Sequence, residues 1–349
     1  MAKTPFEILK ERELPKLLSR EEMLMTLLTQ EYGFMPPAPE SISFEVEENF
    51  IPNFCAGNAP CSKITATCRV NGKDFSFPFY SAIPCRGENL PFFVHINFRP
   101  DVPDRYMPSE EITDNGFAVF SFCFNDVTSD DGDFTNGLAG ILFENGKREP
   151  DSCGKIAIWA WAAQRVLDYA VTLSGKLDLD CAAVCGHSRL GKTALLAAAT
   201  DERFRFAYSN DSGCSGASLA RDNTGETVAD ITRVFPYWFC ENYLKYASNE
   251  AAMPFDQHFL LACIAPRFVL VGSAEDDSWA DPVSEMLSCF AASPAFESAG
   301  VKGFVCENRF AVAGDAFLEG NVGYQKRSGK HYFSRSDWNR LMEFINLHK

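Results

Sequence analysis

The turn from Gly186 to Thr193 fits two unrelated chemistries. Its full length matches the G-x-x-x-x-G-K-[ST] loop, whose backbone N–H groups and lysine bind nucleotide phosphates between a strand and a helix. Its opening residues, GHSRLG, match a nucleophile elbow, a strained strand-to-helix turn that exposes the side chain of Ser188. Leu190 occupies the second glycine position of the strict elbow pattern, and Gly191 follows it. The pattern alone leaves a nucleotide site and a serine esterase open.

The rest of the chain favours the esterase. A nucleotide site needs Mg²⁺ ligands, usually an Asp that ends a second apolar strand. The best such strand, FVLVGSA from Phe268 to Ala274, has its acids beyond the strand end. A serine esterase needs an acid and then a histidine downstream of the serine, and the sequence supplies both in that order. We therefore predict that Ser188 is a nucleophile, with a nucleotide-binding turn as the alternative.

Five histidines compete for the role of general base. His331 lies on a predicted loop just before the last helix. Loops that follow parallel strands gather at one edge of a sheet, where a histidine can reach the serine. His258, in a loop before the last strands, is the alternative base. We expect structural or terminal roles for His95, His187 and His348.

Two aspartates are candidates for the acid that orients the base. Asp277 follows the apolar strand FVLVGSA, which is the usual place for the acid. Asp211 follows an earlier apolar run, FRFAYSN. Both assignments stay open on the sequence. We prefer Asp277 because of its position and because Asp211, with a side chain shorter than Glu, is less able to reach His331.

Composition and charge exclude several classes of partner. A chain of 349 residues with 46% hydrophobic content can bury a large core. Its net charge of -15 argues against nucleic acid and anionic membranes, which attract clustered Lys and Arg. Thirteen Cys without C-x-x-C pairs indicate reduced, mostly buried thiols, with neither a disulfide framework nor a zinc site. No apolar run approaches a membrane-spanning length.

Local patterns near the start of the chain predict a helix and three antiparallel strands. A capping box at Ser19 opens a helix that ends near Glu31. Alternating apolar residues from Ile42 predict a half-buried strand. The segments 63–70 and 73–83, joined by an Asn-Gly turn, give the strongest hairpin signal in the sequence. We expect this hairpin to extend one edge of a larger sheet.

From Pro91 onward, short apolar strands alternate with helices, which predicts an α/β fold with a mostly parallel sheet covered on both faces. The helix from Lys155 to about Thr172 is apolar nearly all round and should be buried beside the sheet. No repeat or linker divides the chain. We therefore predict a single domain over residues 1–349, with residues 1–40 as a helical arm packed on it.

An acidic loop precedes that helix and contains Asp126, Asp130, Asp131 and Asp133. Alignment with a calcium-binding loop places Val127 at the first ligand position and Leu138 at the twelfth, where a Glu is needed. We therefore expect an acidic surface loop near the mouth of the site.

Motifs along nearly the whole chain carry a family resemblance. They are FEILKERE and QEYGFMPP at the start, WAWAAQRVLDYA before the elbow, GHSRLGKTAL at it, and SNDSGCSGASLAR, APRFVLVGSAEDDSWADP and GKHYFSRSDW after it. Together they resemble the glucuronoyl esterases, carbohydrate esterase family fifteen, especially the bacterial branch. GHSRLGK alone is not specific. The resemblance implies an α/β-hydrolase fold, a three-layer sandwich with a mostly parallel central sheet and an antiparallel N-terminal hairpin.

The resemblance also implies an activity that needs no metal and no cofactor, the hydrolysis of (4-O-methyl-)glucuronic acid esters such as those that link xylan to lignin alcohols. It makes Ser188 the nucleophile, His331 the base, Asp211 or Asp277 the acid, and Arg189 a part of the oxyanion hole. It assigns sugar binding to Lys192, Glu226 and Trp279. The alternatives for these three are a solvated helix residue, a surface charge and a core tryptophan.

Some features depart from the family pattern. His187 stands where some relatives have a cysteine next to the nucleophile. Most relatives are secreted, whereas the start of this sequence lacks the apolar core of a signal peptide. We expect a cytoplasmic monomer, or a secreted protein if a leader has been removed. We expect an intracellular enzyme to act on an imported oligosaccharide or a small uronate ester. An acetyl esterase is the alternative enzyme.

Overall fold

The computed structural model describes residues 3–349. Within this range, the strands are β1 (Ser41–Ile51), β2 (Cys61–Val70), β3 (Lys73–Ala82), β4 (Leu90–Asn97), β5 (Ala118–Cys123), β6 (Leu177–His187), β7 (Phe206–Asn210), β8 (Phe268–Ala274), β9 (Ala316–Phe317) and β10 (Val322–Arg327).

The α-helices of the same range are α1 (Pro5–Glu11), α2 (Arg20–Leu27), α3 (Ser109–Asp114), α4 (Gly137–Leu142), α5 (Lys155–Thr172), α6 (Arg189–Thr200), α7 (Val228–Val234), α8 (His258–Ala262), α9 (Pro282–Ser298) and α10 (Arg335–His348). A π-helical turn, Leu28–Tyr32, continues α2.

One ten-stranded sheet contains all these strands in the order β1-β2-β3-β5-β4-β6-β7-β8-β10-β9. The strands from β5 to β10 in this spatial order are parallel to one another. The hairpin β2-β3, with β1, extends one edge antiparallel, and the short β9 extends the other. This topology confirms the predicted mostly parallel sheet with an antiparallel N-terminal hairpin.

The turn of the hairpin is explained by its two residues. Asn71 and Gly72 have φ values of 49° and 70°, and consecutive left-handed residues give the type I′ turn that matches strand twist. The residues of β2 alternate between buried and less buried positions, as expected for a strand with one face on the core.

Helices cover the sheet on both faces, so the fold is the predicted three-layer sandwich. Successive residues of β6 point to opposite sides, with Val184 in one hydrophobic core and Cys185 in the other. Side chains of α5, α6, α8 and α9 pack in the first core, and those of α3 and α10 pack in the second. Trp159 and Trp161 of α5 are almost completely buried, as its apolar sequence predicts.

The predicted N-terminal arm contributes α1 and α2, although its first two residues lie outside the described range. Met23, Leu27 and Tyr32 are buried in the same core as α5 and α6. The arm therefore shares hydrophobic surface with the sheet layers. A single domain over residues 1–349 stays a prediction.

All thirteen cysteines are free thiols, and most of them are buried. The burial is as predicted, and the redox state of the thiols stays a prediction. None of the helices in residues 3–349 has the length and hydropathy needed to cross a membrane.

Candidate active site

A single residue connects the central strand to the helix that follows it. β6 ends at His187 and α6 begins at Arg189, and Ser188 between them has φ 58° and ψ -129°. Residues with a side chain rarely adopt this backbone conformation, which is typical of strained functional turns. A Cβ on Gly186 would lie 2.2 Å from the carbonyl oxygen of Leu190, so only glycine lets the helix approach the strand. The turn therefore has the geometry of a nucleophile elbow.

The phosphate-loop alternative does not fit this geometry. Residues from Arg189 onward are already helical, so the turn contains no extended loop whose N–H groups could surround a phosphate. The ammonium of Lys192 donates hydrogen bonds to the carbonyl oxygens of Ser212 and Cys214. It is therefore held inside the protein, away from the position that a phosphate-binding lysine occupies.

The predicted base and the preferred acid meet at the edge where the parallel strands end. Nδ1 of His331 lies 2.6 Å from Oδ2 of Asp277, and Asp277 is buried whereas His331 is exposed on one side. The oxygen of a buried carboxylate next to Nδ1 fixes the tautomer of the ring and leaves Nε2 to accept a proton. The pair thus has the arrangement of a base with its orienting acid.

Backbone contacts hold the two loops of this pair together. The N–H of Glu275, just after β8, donates to the carbonyl of Arg327 at 2.8 Å. The N–H of Asp276 donates to the carbonyl of Gly329 at 2.9 Å. The loop after β8 and the loop after β10 therefore run side by side, which explains why Asp277 and His331 meet.

Asp211 lies near the pair but has a different partner. A carboxylate oxygen of Asp211 lies within 4.8 Å of a carboxylate oxygen of Asp277 and of a ring nitrogen of His331. Oδ2 of Asp211 accepts a hydrogen bond from Nη2 of Arg327 at 2.9 Å. Among the residues that the structure describes, His331 is hydrogen-bonded to Asp277 and not to Asp211. Burial raises the pKa of Asp211 well above its usual range, and the Arg327 charge opposes this shift.

These three residues also form the one cluster, within the described range, whose atoms are close enough together to hold a metal ion. The guanidinium of Arg327 lies against Asp211 and puts a positive charge where a cation would bind. The arrangement fits an acid and base pair better than a metal centre.

The other histidines lie elsewhere or have structural partners. His258, the alternative base, is buried and its Nε2 lies 3.0 Å from the carbonyl oxygen of Pro15. Nδ1 of His187 lies 2.7 Å from Oδ1 of Asn210, and burial lowers the pKa of His187 well below its usual range. Its ring packs 4.3 Å from the ring of His331.

The two remaining histidines have structural or terminal positions. His95 is a core residue, and burial lowers its pKa to about 3. His348, near the end of the chain, contacts a backbone carbonyl.

One cavity of about 290 Å³ brings together all eight residues that the sequence singles out. They are Ser188, Arg189, Lys192, Asp211, Glu226, Asp277, Trp279 and His331. A larger groove of about 800 Å³ lies between α3 and residues 51–56 and includes none of them. We identify the smaller cavity as the site because it contains the nucleophile, the base and the acids.

Arg189 forms one wall of the cavity together with two aromatic residues. Its guanidinium is ion-paired with Asp130, and the same carboxylate accepts a hydrogen bond from Nε1 of Trp238 at 2.7 Å. The guanidinium lies 4.7 Å from the Trp238 ring, on which Phe235 stacks at 3.9 Å. The acidic loop therefore lies beside the cavity, and Asp130 is a partly buried partner of Arg189 instead of a solvated charge.

Lys192, which is buried, and Glu226, which is half-buried, both line the cavity. Lys192 is 3% exposed, which rules out the alternative of a solvated helix residue. Burial lowers the pKa of Lys192 and raises that of Glu226, and in each case the charge of the other residue opposes the shift. Two hydrogens of the ammonium bind backbone carbonyls, so one remains for a ligand. A ligand with hydroxyl groups suits such a pair.

Trp279 is 57% exposed at the mouth of the cavity, so the alternative of a core tryptophan is wrong. Its carbonyl oxygen accepts a hydrogen bond from the N–H of Glu226 at 2.8 Å. A Cβ on Gly225 would lie 2.3 Å from the same oxygen, so glycine is needed for this close contact. An exposed indole beside polar groups offers a flat face to a sugar ring.

Comparison with known proteins decides the family. A family model described as glucuronyl esterase, fungi, matches residues 66–300. The chain belongs to the glucuronoyl esterase family. Carbohydrate esterase MZ0003, from an unknown prokaryotic organism, is 36% identical over 241 residues, which cover 68% of this chain and 55% of that protein. The chain thus matches little more than half the length of this relative.

In three further matches, the aligned region covers a larger share of the other protein. The 4-O-methyl-glucuronoyl methylesterase of Phanerochaete carnosa is 27% identical over 293 residues, covering 81% of this chain and 67% of that protein. The solved glucuronoyl esterase from Solibacter usitatus has a TM-score of 0.83 and 28% identity, and the match covers 94% of this chain and 91% of that one. A promiscuous CE15 esterase from a marine bacterial metagenome gives a TM-score of 0.83, 28% identity, and 95% and 91% coverage. These neighbours confirm the predicted α/β-hydrolase fold.

Sequence reasoning about this glucuronoyl esterase family member misses three cavity partners. Asp130 stands out in the sequence only as one of several acids in a loop, and no role is predicted for Phe235 and Trp238, which lie in the segment FPYWFC. Asp130 and Arg189 are 59 residues apart, so no local spacing connects them. The excess of aromatic residues in FPYWFC is the one signal that could have indicated a cavity wall.

Proposed function

We propose that the protein is a serine-type carboxylic ester hydrolase that cleaves esters of (4-O-methyl-)glucuronic acid through an acyl-enzyme. One observation carries the proposal. The strained Ser188 opens into the same cavity as the hydrogen-bonded pair of His331 and Asp277, and the buried cation Lys192 lies beside them. This combination provides a nucleophile, its base and a polar pocket for a sugar acid.

The reaction that we propose for these residues has two steps. Oγ of Ser188 attacks the ester carbonyl carbon while Nε2 of His331 takes the hydroxyl proton, and Asp277 stabilises the resulting imidazolium. The C–O bond then breaks, and the alcohol leaves with the proton from His331. Water, deprotonated by His331, attacks the acyl-enzyme, and Ser188 regains its proton as the uronic acid departs.

Negative charge develops on the carbonyl oxygen in both steps, and two groups of Arg189 can stabilise it. The backbone N–H of Arg189 lies at the start of α6, where the first N–H groups of a helix lack intrahelical acceptors. Its guanidinium lines the same cavity. Preorganised donors of this kind typically contribute a large part of ester hydrolysis catalysis.

The substrate class follows from the rest of the cavity. The volume of about 290 Å³ is at the small end for ligand sites, so it suits one sugar residue. Lys192 and Glu226 present a donor and an acceptor to sugar hydroxyls, and Trp279 presents a ring face at the mouth. The alcohol part of the ester lies towards the open side, where xylan-type saccharides or small uronate esters can be accepted.

Hydrolysis of methyl and benzyl glucuronate tests this proposal, with added chelator to exclude adventitious metal. Ser188→Ala should lower kcat by about 10⁴-fold to 10⁶-fold, as the loss of a triad member does. Ser174→Ala, at an exposed serine outside the cavity, is the matched control and should keep full activity.

Parallel assays separate the alternatives. Preference for acetylated sugars over glucuronate esters would identify an acetyl esterase. Calorimetry with ATP or GTP and Mg²⁺ tests the nucleotide site, and micromolar binding without ester hydrolysis would contradict the proposal. Binding of glucuronate without turnover would indicate an inactive carbohydrate-binding relative.

A further inference from the structure

Arg327, the last residue of β10, joins two acidic side chains behind the cavity. Its Nη2 lies 2.9 Å from Oδ2 of Asp211, and its Nε lies 2.9 Å from Oδ2 of Asp337. Only 11% of its side chain is exposed, and it is not among the described residues that line the cavity. Arg327 therefore makes no contact with the space where a substrate binds.

The same guanidinium holds the loop that carries the base. Nη1 donates to the carbonyl oxygens of Ser328 at 3.1 Å and Lys330 at 3.0 Å, and Nη2 donates to that of Tyr332. Lys330 and Tyr332 are the two neighbours of His331. The planar guanidinium of arginine offers five N–H donors in fixed directions, whereas the ammonium of lysine offers three from a single atom.

Asp337 extends this contact to the helix that follows the loop. It lies in the first turn of α10, and its Oδ2 accepts hydrogen bonds from the N–H and the hydroxyl of Ser334, both at 2.7 Å. Asp211, at the other side, follows β7, and its N–H donates to the carbonyl of Gly272 in β8 at 2.7 Å. Arg327 thus connects the sheet, the loop and the start of α10.

His331 needs such support because its own ring is only partly packed. Its side chain is 44% exposed, and its ring contacts the ring of His187 on one side. The backbone bonds to the loop after β8 involve Arg327 and Gly329, which precede His331. The backbone on both sides of His331 is held through the guanidinium of Arg327.

We propose that Arg327 is a positioning residue that fixes the loop carrying His331 and so maintains the hydrogen bond between His331 and Asp277. Arg327 also pairs with Asp211, the second carboxylate near the base, whereas Asp277 pairs with His331. This inference rests on the proposed esterase function, in which His331 is the base.

The test compares Arg327→Gln and Arg327→Lys with a matched control, Arg221→Gln. Arg221 is a buried arginine outside the cavity that also binds one carboxylate, Asp256, and the carbonyl oxygens of a loop, those of Met253 and Phe255. For each protein, kcat and KM for benzyl glucuronate, the melting temperature, and the far-downfield proton NMR signal of the His331 Nδ1–H are measured.

Arg327→Gln should lower kcat by about 10-fold to 100-fold with KM nearly unchanged, because a misplaced catalytic group loses rate while the binding groups stay in place. Its Nδ1–H signal should broaden or disappear. Arg327→Lys should lose at least about 5-fold in kcat, since an ammonium lacks the forked geometry. Arg221→Gln should lower the melting temperature and leave kcat and the Nδ1–H signal unchanged.

A folded Arg327→Gln with the kcat and Nδ1–H signal of the unaltered protein would overturn the proposal, and so would a rise in KM alone. If Arg327→Gln does not fold, Arg327→Lys decides by the same measurements, and its kcat equal to that of the unaltered protein would contradict the proposal. If the unaltered protein hydrolyses no ester, the proposed function fails. The Nδ1–H signal then still tests Arg327, because its loss in Arg327→Gln supports positioning and its persistence refutes it.

Discussion

The hydrogen bond between His331 and Asp277 joins two loops that follow neighbouring parallel strands, and its length is 2.6 Å. Asp211 lies close to the same ring, but Arg327 occupies its Oδ2. The two carboxylates therefore have different partners, His331 for Asp277 and Arg327 for Asp211. This difference gives them distinct predicted effects on catalysis.

Asp277→Asn should lower kcat on a glucuronate ester by at least about 10²-fold, because an amide cannot stabilise the imidazolium that forms during the reaction. Asp211→Asn, the matched change at the second acid, should cost clearly less in kcat and more in stability, since it leaves Arg327 without one partner. Steady-state kinetics and thermal melts of both variants measure the ranking. The reverse order in kcat would assign the orienting role to Asp211.

Lys192→Ala should distinguish sugar recognition from catalysis. A charged hydrogen bond to a hydroxyl contributes about 1 to 3 kcal/mol, so kcat/KM for a glucuronate ester should fall by roughly 10-fold to 100-fold. Activity on p-nitrophenyl acetate, which has no sugar hydroxyls, should be nearly unchanged. Equal losses on both substrates would show instead that Lys192 supports the elbow through its bonds to Ser212 and Cys214.

Asp130→Asn should weaken the wall formed by Arg189 and Trp238. The change removes the negative charge of the ion pair, and a shift of a catalytic group by 1 Å can cost about 10²-fold in rate. We expect kcat to fall by about 10-fold on glucuronate esters and p-nitrophenyl acetate alike, because oxyanion stabilisation serves every ester. Asp131→Asn, one residue along the same loop, is the control. A loss confined to glucuronate esters would place Asp130 in sugar recognition.

Ser188→Gly and Ser188→Ala should both be inactive but should differ in stability. Glycine adopts the positive φ of 58° without the clash of a Cβ, whereas alanine keeps that atom. The glycine variant should therefore have a free energy of unfolding about 1 kcal/mol higher than the alanine variant. Urea unfolding of the two proteins provides the comparison. Equal stability would mean that the elbow is not strained.

Glu31 should make stability fall as the pH rises. Its side chain is fully buried against Gln257, and burial raises its pKa from 4.5 to about 8. Between these values the folded state keeps a proton that the unfolded state has released, so the free energy of unfolding decreases with increasing pH. Below about 4.5 both states are protonated, and the stabilising contribution is fully present.

Urea unfolding across this range measures the slope, which is at most about 1.4 kcal/mol per pH unit for one proton. Glu31→Gln should change the slope by up to this amount in the direction of greater stability at high pH. The slope that remains comes from the other buried groups with shifted pKa values, among them Glu285, whose pKa burial also raises to about 8, and Asp211 and His95. Glu48→Gln, at an exposed position of β1, should leave the slope unchanged. An unaltered slope in Glu31→Gln would show that Glu31 is ionised in the folded protein.

The parts of the fold that the sequence predicts well are those specified by neighbouring residues. The Asn71-Gly72 turn and the apolar α5 have clear local patterns, and the structure contains both. α9 is harder to predict because Pro294 lies within it, and a proline usually marks the end of a helix. The topology of the sheet follows from general rules for alternating strands and helices.

The site is less predictable than the fold because its contacts cross long sequence distances. The elbow pattern and the order of serine, acid and histidine are visible in the chain, and the sugar-binding positions are predicted from the family resemblance alone. Arg327 and Asp211 are 116 residues apart. Their ion pair depends on how their strands are placed in the sheet, which the sequence around either residue does not indicate. The same is true of Asp130 and Arg189.

The backbone ties between the loops after β8 and β10 have an evolutionary consequence. These hydrogen bonds use only backbone N–H and carbonyl groups, so they do not depend on the side chains of the residues that form them. Trp279, two positions beyond Asp277, can therefore be exchanged while the acid and base stay together. During evolution, the residues at the mouth of the cavity can change, and with them the range of substrates, before the pair of His331 and Asp277 changes.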